Sequence, residues 1–206
     1  MAVAQRLQEL ELTHGVLANA VTVAYQKSSN CTSLHPKAYR GFALWAETIG
    51  NLRALLPEWQ SKDDGNYDLT VSPNGQIAIA VATGDDSTGI ADLIPLTQSS
   101  KGPRTVEAVA ANQNQLRFEF RFPDAWIPPL YDPARVESRA TWILLIHQTD
   151  TTVRAELSLP LRLDPKNRVS GWSERILLSL VDYTPLGEIE LNEREQIIDV
   201  PVRRRV

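Results

Sequence analysis

Two adjacent aspartates, three hydroxyl side chains and two glycines stand together in Thr83-Gly84-Asp85-Asp86-Ser87-Thr88-Gly89, directly after the apolar run at residues 76–82. Backbone N–H groups in such a glycine-rich turn can bind an anion, and Ser87 and Thr88 could add hydroxyl donors. Asp85 and Asp86 oppose that use unless a divalent cation such as Mg²⁺ bridges carboxylate and phosphate. In that arrangement Lys101 and Arg104, further along the same segment, would neutralise the substrate. The stretch is not a P-loop, because the lysine of that motif and its helix-opening context are both missing. A turn whose aspartates cap backbone groups is the simpler expectation and is favoured.

The other constellations are weaker. Asp63 and Asp64, beside Gly65, are expected in a solvated acidic loop. Glu156 and Glu174 fall in neighbouring predicted strands, where Arg154 and Arg175 make cross-strand ion pairs the expected outcome. A restriction-type metal nuclease would want E-x-K on such a strand, and Glu156-Leu157-Ser158 has serine in place of the lysine. No GxSxG elbow is present, and His14, His35 and His147 are too scattered to suggest a metal site, so none is predicted. Cys31 is the single cysteine; it excludes an intramolecular disulfide, favours a reducing compartment and is expected to be a small packed side chain. Trp126 and Tyr131, in a proline-rich segment, are candidates for a partner contact, although core packing is the commoner fate of such rings. Arg203, Arg204 and Arg205 could contribute salt-sensitive phosphate contacts, the one route to nucleic acid that this chain offers.

These residues need a scaffold, and the hydrophobic pattern predicts one. The 206 residues suit a single α+β domain, helical over 1–57 and β-rich over 66–206. Phe42, Trp45, Ile49, Leu52 and Leu56 recur at spacings of 3, 4, 3 and 4, an apolar stripe on a helix that Pro57 ends and Pro36 opens. Val3, Leu7, Leu10, His14, Leu17 and Val21 repeat the rhythm upstream, with Gly15 as the interruption, so an antiparallel helical pair is expected. Beyond it the period falls to two. Asn74-Gly75 joins two β-rich runs in a hairpin, with Ile77, Ile79 and Val81 on one face and alanines on the other, leaving room for a helix to approach closely.

Residues 84–104 show no sustained period, and 105–111 slightly favour helix. Leu116, Phe118, Phe120 and Phe122 alternate with charges and predict a half-buried strand. Further strands are expected at 141–147, 153–163, 173–180, 188–191 and 197–202, with an edge or bulge at Pro160. The result is a mostly antiparallel sheet of about seven or eight strands, with the helical pair on one face and without the βαβ alternation of a doubly wound fold.

A net charge of −4 argues against a surface devoted to nucleic acid. The N-terminus shows no secretory pattern and no window has membrane-span length, so a soluble, cytoplasmic protein is expected. The leading functional expectation is a non-enzymatic interaction protein, an accessory subunit or partner-binding module of bacterial or phage type, with a protein partner or self-association and no cofactor. The competing expectation is a Mg²⁺-dependent enzyme acting on a phosphate ester or nucleotide through Asp85, Asp86, Ser87 and Thr88.

Overall fold

In the computed structural model, which describes residues 3–32, 34–63, 67–120, 139–149 and 151–180, the Asn74-Gly75 hairpin forms as the sequence predicts. Gly75 adopts φ 73°, the left-handed conformation that favours glycine, and its N–H donates to the Ser72 carbonyl. The Asn74 Oδ1 accepts from the Gln76 N–H at 2.9 Å, closing the turn from the side chain. On either side run β2 (Asp68–Val71) and β3 (Ile77–Thr83), antiparallel with Leu69 opposite Ala80.

Six strands make one sheet in chain order, β1 (Gln60–Asp63), β2, β3, β4 (Ala140–Gln148), β5 (Val153–Leu163) and β6 (Val169–Leu178). Four of the five pairings are antiparallel; β3 and β4 are parallel, and the crossover between them contains α4 (Pro103–Phe120). The sheet is therefore mostly antiparallel, but it does include one β–α–β unit. Six strands among the described residues replace the expected seven or eight; the predicted strands at 188–191 and 197–202 lie outside them.

Three helices, rather than a pair, precede the main sheet: α1 (Val3–Glu9), α2 (His14–Ser29) and α3 (Tyr39–Leu55). The break between the first two lies before Gly15. Glu11 sits at φ 58°, and Thr13, in extended conformation, accepts the Val16 N–H on its hydroxyl, so an N-cap rather than a glycine starts α2. Pro36 precedes α3 instead of opening it, and Pro57 follows its end. No helix among the described residues is long and apolar enough to cross a membrane.

The period-two reading of β3 fixes the layers. Ile77, Ile79 and Val81 join Trp142, Leu144, Ile146 and Leu157 under α1, α2 and α3. The opposite face of the sheet carries Ile143 and Leu145, and there Ala82 packs with Val109 of α4. The small alanine side chains do admit a helix, and the fold is three layers, helices on both faces of the sheet. With both faces covered, β4 is buried almost throughout, which explains its unbroken apolar run.

Two further expectations fail for physical reasons. Residues 116–120 continue α4 instead of forming a strand, and Phe122 lies outside the described residues. Alternation over so few positions is weaker than a helix already propagating from Pro103 through alanine, glutamine and glutamate. Asp63, expected in a loop, ends β1 instead; the residues of this strand are polar because it is an exposed edge, and it exists through its pairing with β2.

Pro160 lies in a bulge of β5, between two neighbours rather than at an edge. Opposite it Thr141 has no proline N–H to accept. The Asn112 side chain of α4 fills the gap: its Nδ2 donates to the carbonyls of Thr141 and Pro160, and its Oδ1 accepts from the Thr141 N–H at 3.0 Å. Gln113 adds a 2.6 Å bond to the Leu161 carbonyl. Buried amides thus splice helix to sheet where the ladder is interrupted.

Candidate functional site

The residues at 83–89 form a folded turn held against the sheet. Gly84 N–H donates to the Ile146 carbonyl, Asp85 N–H to Leu96 and Gln98 N–H to Thr83, so the chain doubles back on itself. The Asp85 carboxylate accepts the Ser87 N–H at 3.2 Å, an aspartate turn of the kind expected. Asp86 is exposed and its carbonyl accepts from Arg154, while Thr88 is fully buried. His147 Nδ1 lies 3.1 Å from the Gly84 carbonyl. A Cβ at Gly84 would stand 2.7 Å from Leu145 Cγ and collide with the Thr88 hydroxyl. Gly84→Ala is therefore expected to cost about 1–3 kcal/mol through overpacking, read as a lowered denaturation midpoint.

An ion pair of larger consequence fastens this turn from below. Glu156 of β5 is 0% exposed and takes two bonds from Arg175 of β6, at 3.0 and 2.6 Å. Its remaining oxygen capacity goes to the Ser158 hydroxyl and to the Gly89 N–H. Arg175 also donates to the carbonyls of Leu93 and Ile90. The pair is the expected cross-strand one, with the second half of the loop as its further ligand. Glu174 is claimed instead by Arg6 of α1, which its carboxylate holds firmly protonated.

A separate cleft of about 240 Å³ lies over the alanine face of β3. Because β2 stops pairing at Ala80, the next stretch of β3 has no strand on its β2 side, though β4 still pairs with it on the other, and Ala80 and Ala82 leave space above. Tyr67, ahead of β2, walls one side; Lys101, Gly102, Arg104 and Thr105, entering α4, wall the other; Trp45 closes an end, its indole N–H bonded to the Val81 carbonyl at 3.0 Å. Asp68 also lines the cleft, with its carboxylate on Arg53, and Arg104 is paired with Glu107.

Lys101 is half-buried, and its ammonium has neither hydrogen bond nor ion pair among the described residues; burial pulls its pKa below the usual lysine value. The Tyr67 hydroxyl is sealed from solvent and likewise unbonded. Burial pushes that phenol up, and the nearby Thr105 hydroxyl opposes part of the rise without reaching hydrogen-bond geometry.

The structure thus brings Lys101 and Arg104 together in one cleft and places Asp85, Asp86, Ser87 and Thr88 in a turn outside its lining. Among the described residues, no group of three or more His, Cys, Asp or Glu side chains is arranged to hold a metal. Trp126, Tyr131, Arg203, Arg204 and Arg205 lie outside the described residues. Tyr67 and Thr105 escape sequence reading, since it is the packing of the start of α4 beside the segment ahead of β2 that brings them into one cleft. Comparisons with known protein families, with curated proteins and with solved structures find no match to this chain.

Proposed function

We propose that this protein acts by binding a protein partner, as an accessory or partner-binding module, through the start of α3. The observation that carries this reading is Phe42, which is 61% exposed although it belongs to the stripe that otherwise faces the core. Tyr39 is 44% exposed one turn earlier, with His35 stacked on its ring at 4.8 Å, and Leu34 is 93% exposed beside them. Phe42 in turn leans on Trp45, at 5.7 Å between rings. Aromatic side chains preordered in this way offer contact area at low entropy cost, the pattern of interface anchors. Exposed Lys37 at the edge favours a partner surface with an apolar centre and acidic surroundings.

Phe42→Glu is the test. It is expected to change stability by no more than about 0.5 kcal/mol, as a surface substitution, while abolishing the complex or self-association of the full chain seen by light scattering and pull-down. A native protein that stays strictly monomeric and recovers no partner, or a complex indifferent to Phe42→Glu, would reject the reading. Trp126 and Tyr131 remain candidates for a second contact, and Arg203, Arg204 and Arg205 for a nucleic-acid contact.

A further inference from the structure

We infer that the cleft between Tyr67 and the first turn of α4 is a binding site for small phosphate monoesters, held by Lys101, Thr105 and the backbone N–H of Gly102. The site is distinct from the partner surface on α3 and does not use the aspartates of the 83–89 turn.

Charge is the first argument. The acidic side chains nearest the cleft are already engaged: Asp68 with Arg53 at 3.2 Å, and Glu107 with Arg104 at 3.0 Å. Among the described residues that line the cleft, Lys101 is the one left with an uncompensated positive charge in a half-buried position. A buried charge without a counter-ion is unfavourable, so its presence beside a cavity points to an anion that completes it.

Unmet hydrogen bonding is the second. Thr105 is only 5% exposed and lines the cleft, and the Tyr67 hydroxyl opposite it is buried with no partner. A tetrahedral oxyanion in the cleft would give the Thr105 hydroxyl an acceptor. Gly102 N–H, just ahead of the helix, makes no intramolecular bond among the described residues, and Pro103 at the first helical position has no N–H to offer. The N-terminal end of the eighteen-residue α4 adds its positive dipole to the same spot.

The apolar lining sets the class of ligand. Ala80, Ala82 and the Trp45 indole form a wall beside the polar end, and about 240 Å³ accommodates a phosphate with a compact organic group. A carboxylate has two oxygens for the donors converging here, whereas a phosphate monoester has three and more charge for Lys101.

The experiment titrates the full-length chain with inorganic phosphate and with phenyl phosphate, against chloride at matched ionic strength, reading tryptophan fluorescence and thermal shift. Saturable binding is expected, tighter for phenyl phosphate, unaffected by EDTA and stronger than any response to acetate. Lys101→Gln should weaken it at least about tenfold, the weight of one charge-assisted hydrogen bond, with Lys101→Arg keeping most of the affinity and Thr105→Val weakening it several-fold. Lys166→Gln, in the exposed β5–β6 turn, should bind as the native chain does. Circular dichroism checks that each variant is folded; should Lys101→Gln not fold, Thr105→Val decides. A response no different from chloride, loss of binding in EDTA, preference for acetate, or native affinity in folded Lys101→Gln or Thr105→Val would each overturn the site.

Discussion

Arg175→Met lowers the stability of the protein by about 3–5 kcal/mol, the usual cost of stranding one member of a buried ion pair. Glu156, 0% exposed, would be left with the Ser158 hydroxyl and the Gly89 N–H against a full negative charge. Urea denaturation measures the loss, and a change below about 1 kcal/mol would show that Arg175 is not holding the carboxylate. The double replacement, Arg175→Met with Glu156→Leu, separates two roles. An apolar pair of similar volume can substitute for the charges within the sheet, so much of the global stability should return. The loop cannot be repaired in that way, because Gly89, Ile90 and Leu93 all bond to the lost side chains. Faster amide hydrogen exchange at residues 85–96 in the double variant is the expected signature.

The second large effect belongs to Asn112. Asn112→Leu keeps the volume but orphans the Thr141 N–H and the carbonyls of Thr141 and Pro160, all bonded to the side-chain amide. Unsatisfied buried backbone groups cost about 1–3 kcal/mol each. Allowing for local relaxation, a loss of about 3 kcal/mol is expected, roughly 6–12 °C in Tm for a domain of this size. Asn112→Asp should be no milder: it still accepts from Thr141 N–H, yet sets a carboxylate against two carbonyl oxygens. A differential scanning measurement on both variants checks this, and a mild Asn112→Asp would mean that the two donated bonds matter little.

Asn112 also marks where sequence reading stops. A polar residue in a helix carries no sign that it will repair a sheet; that needs Pro160, Thr141 and the helix in one place. What could be read was local. Ile77, Ile79 and Val81 point to the core because a strand alternates by two, and Asn74-Gly75 turns the chain because glycine accepts a positive φ. Ile49, Leu52 and Leu56 of the stripe are buried and Trp45 is half-buried against the core, as the spacing requires, with Phe42 the exception.

The failures share a cause. The alternation at 116–120 obeys a strand's rule while the chain obeys a helix already under way, and β1 has no apolar signal since an edge strand needs none. At the candidate sites, the 83–89 turn was legible from its residue types, and Lys101 and Arg104 from their charge. Tyr67 was not, since its place near Thr105 follows from the packing of α4 beside the segment ahead of β2, a tertiary contact with no local pattern.

The order of the strands has a consequence for how the chain reaches its native state. Four pairings join neighbours separated by short turns, so each can close early at small entropic cost. The parallel union of β3 with β4 is different: it must wait for the whole intervening segment, α4 included, to be gathered in. Non-local pairings of this kind set the pace of folding. Within the described sheet, two locally assembling groups of strands thus meet at one parallel seam, and α4 lies in the segment that spans it.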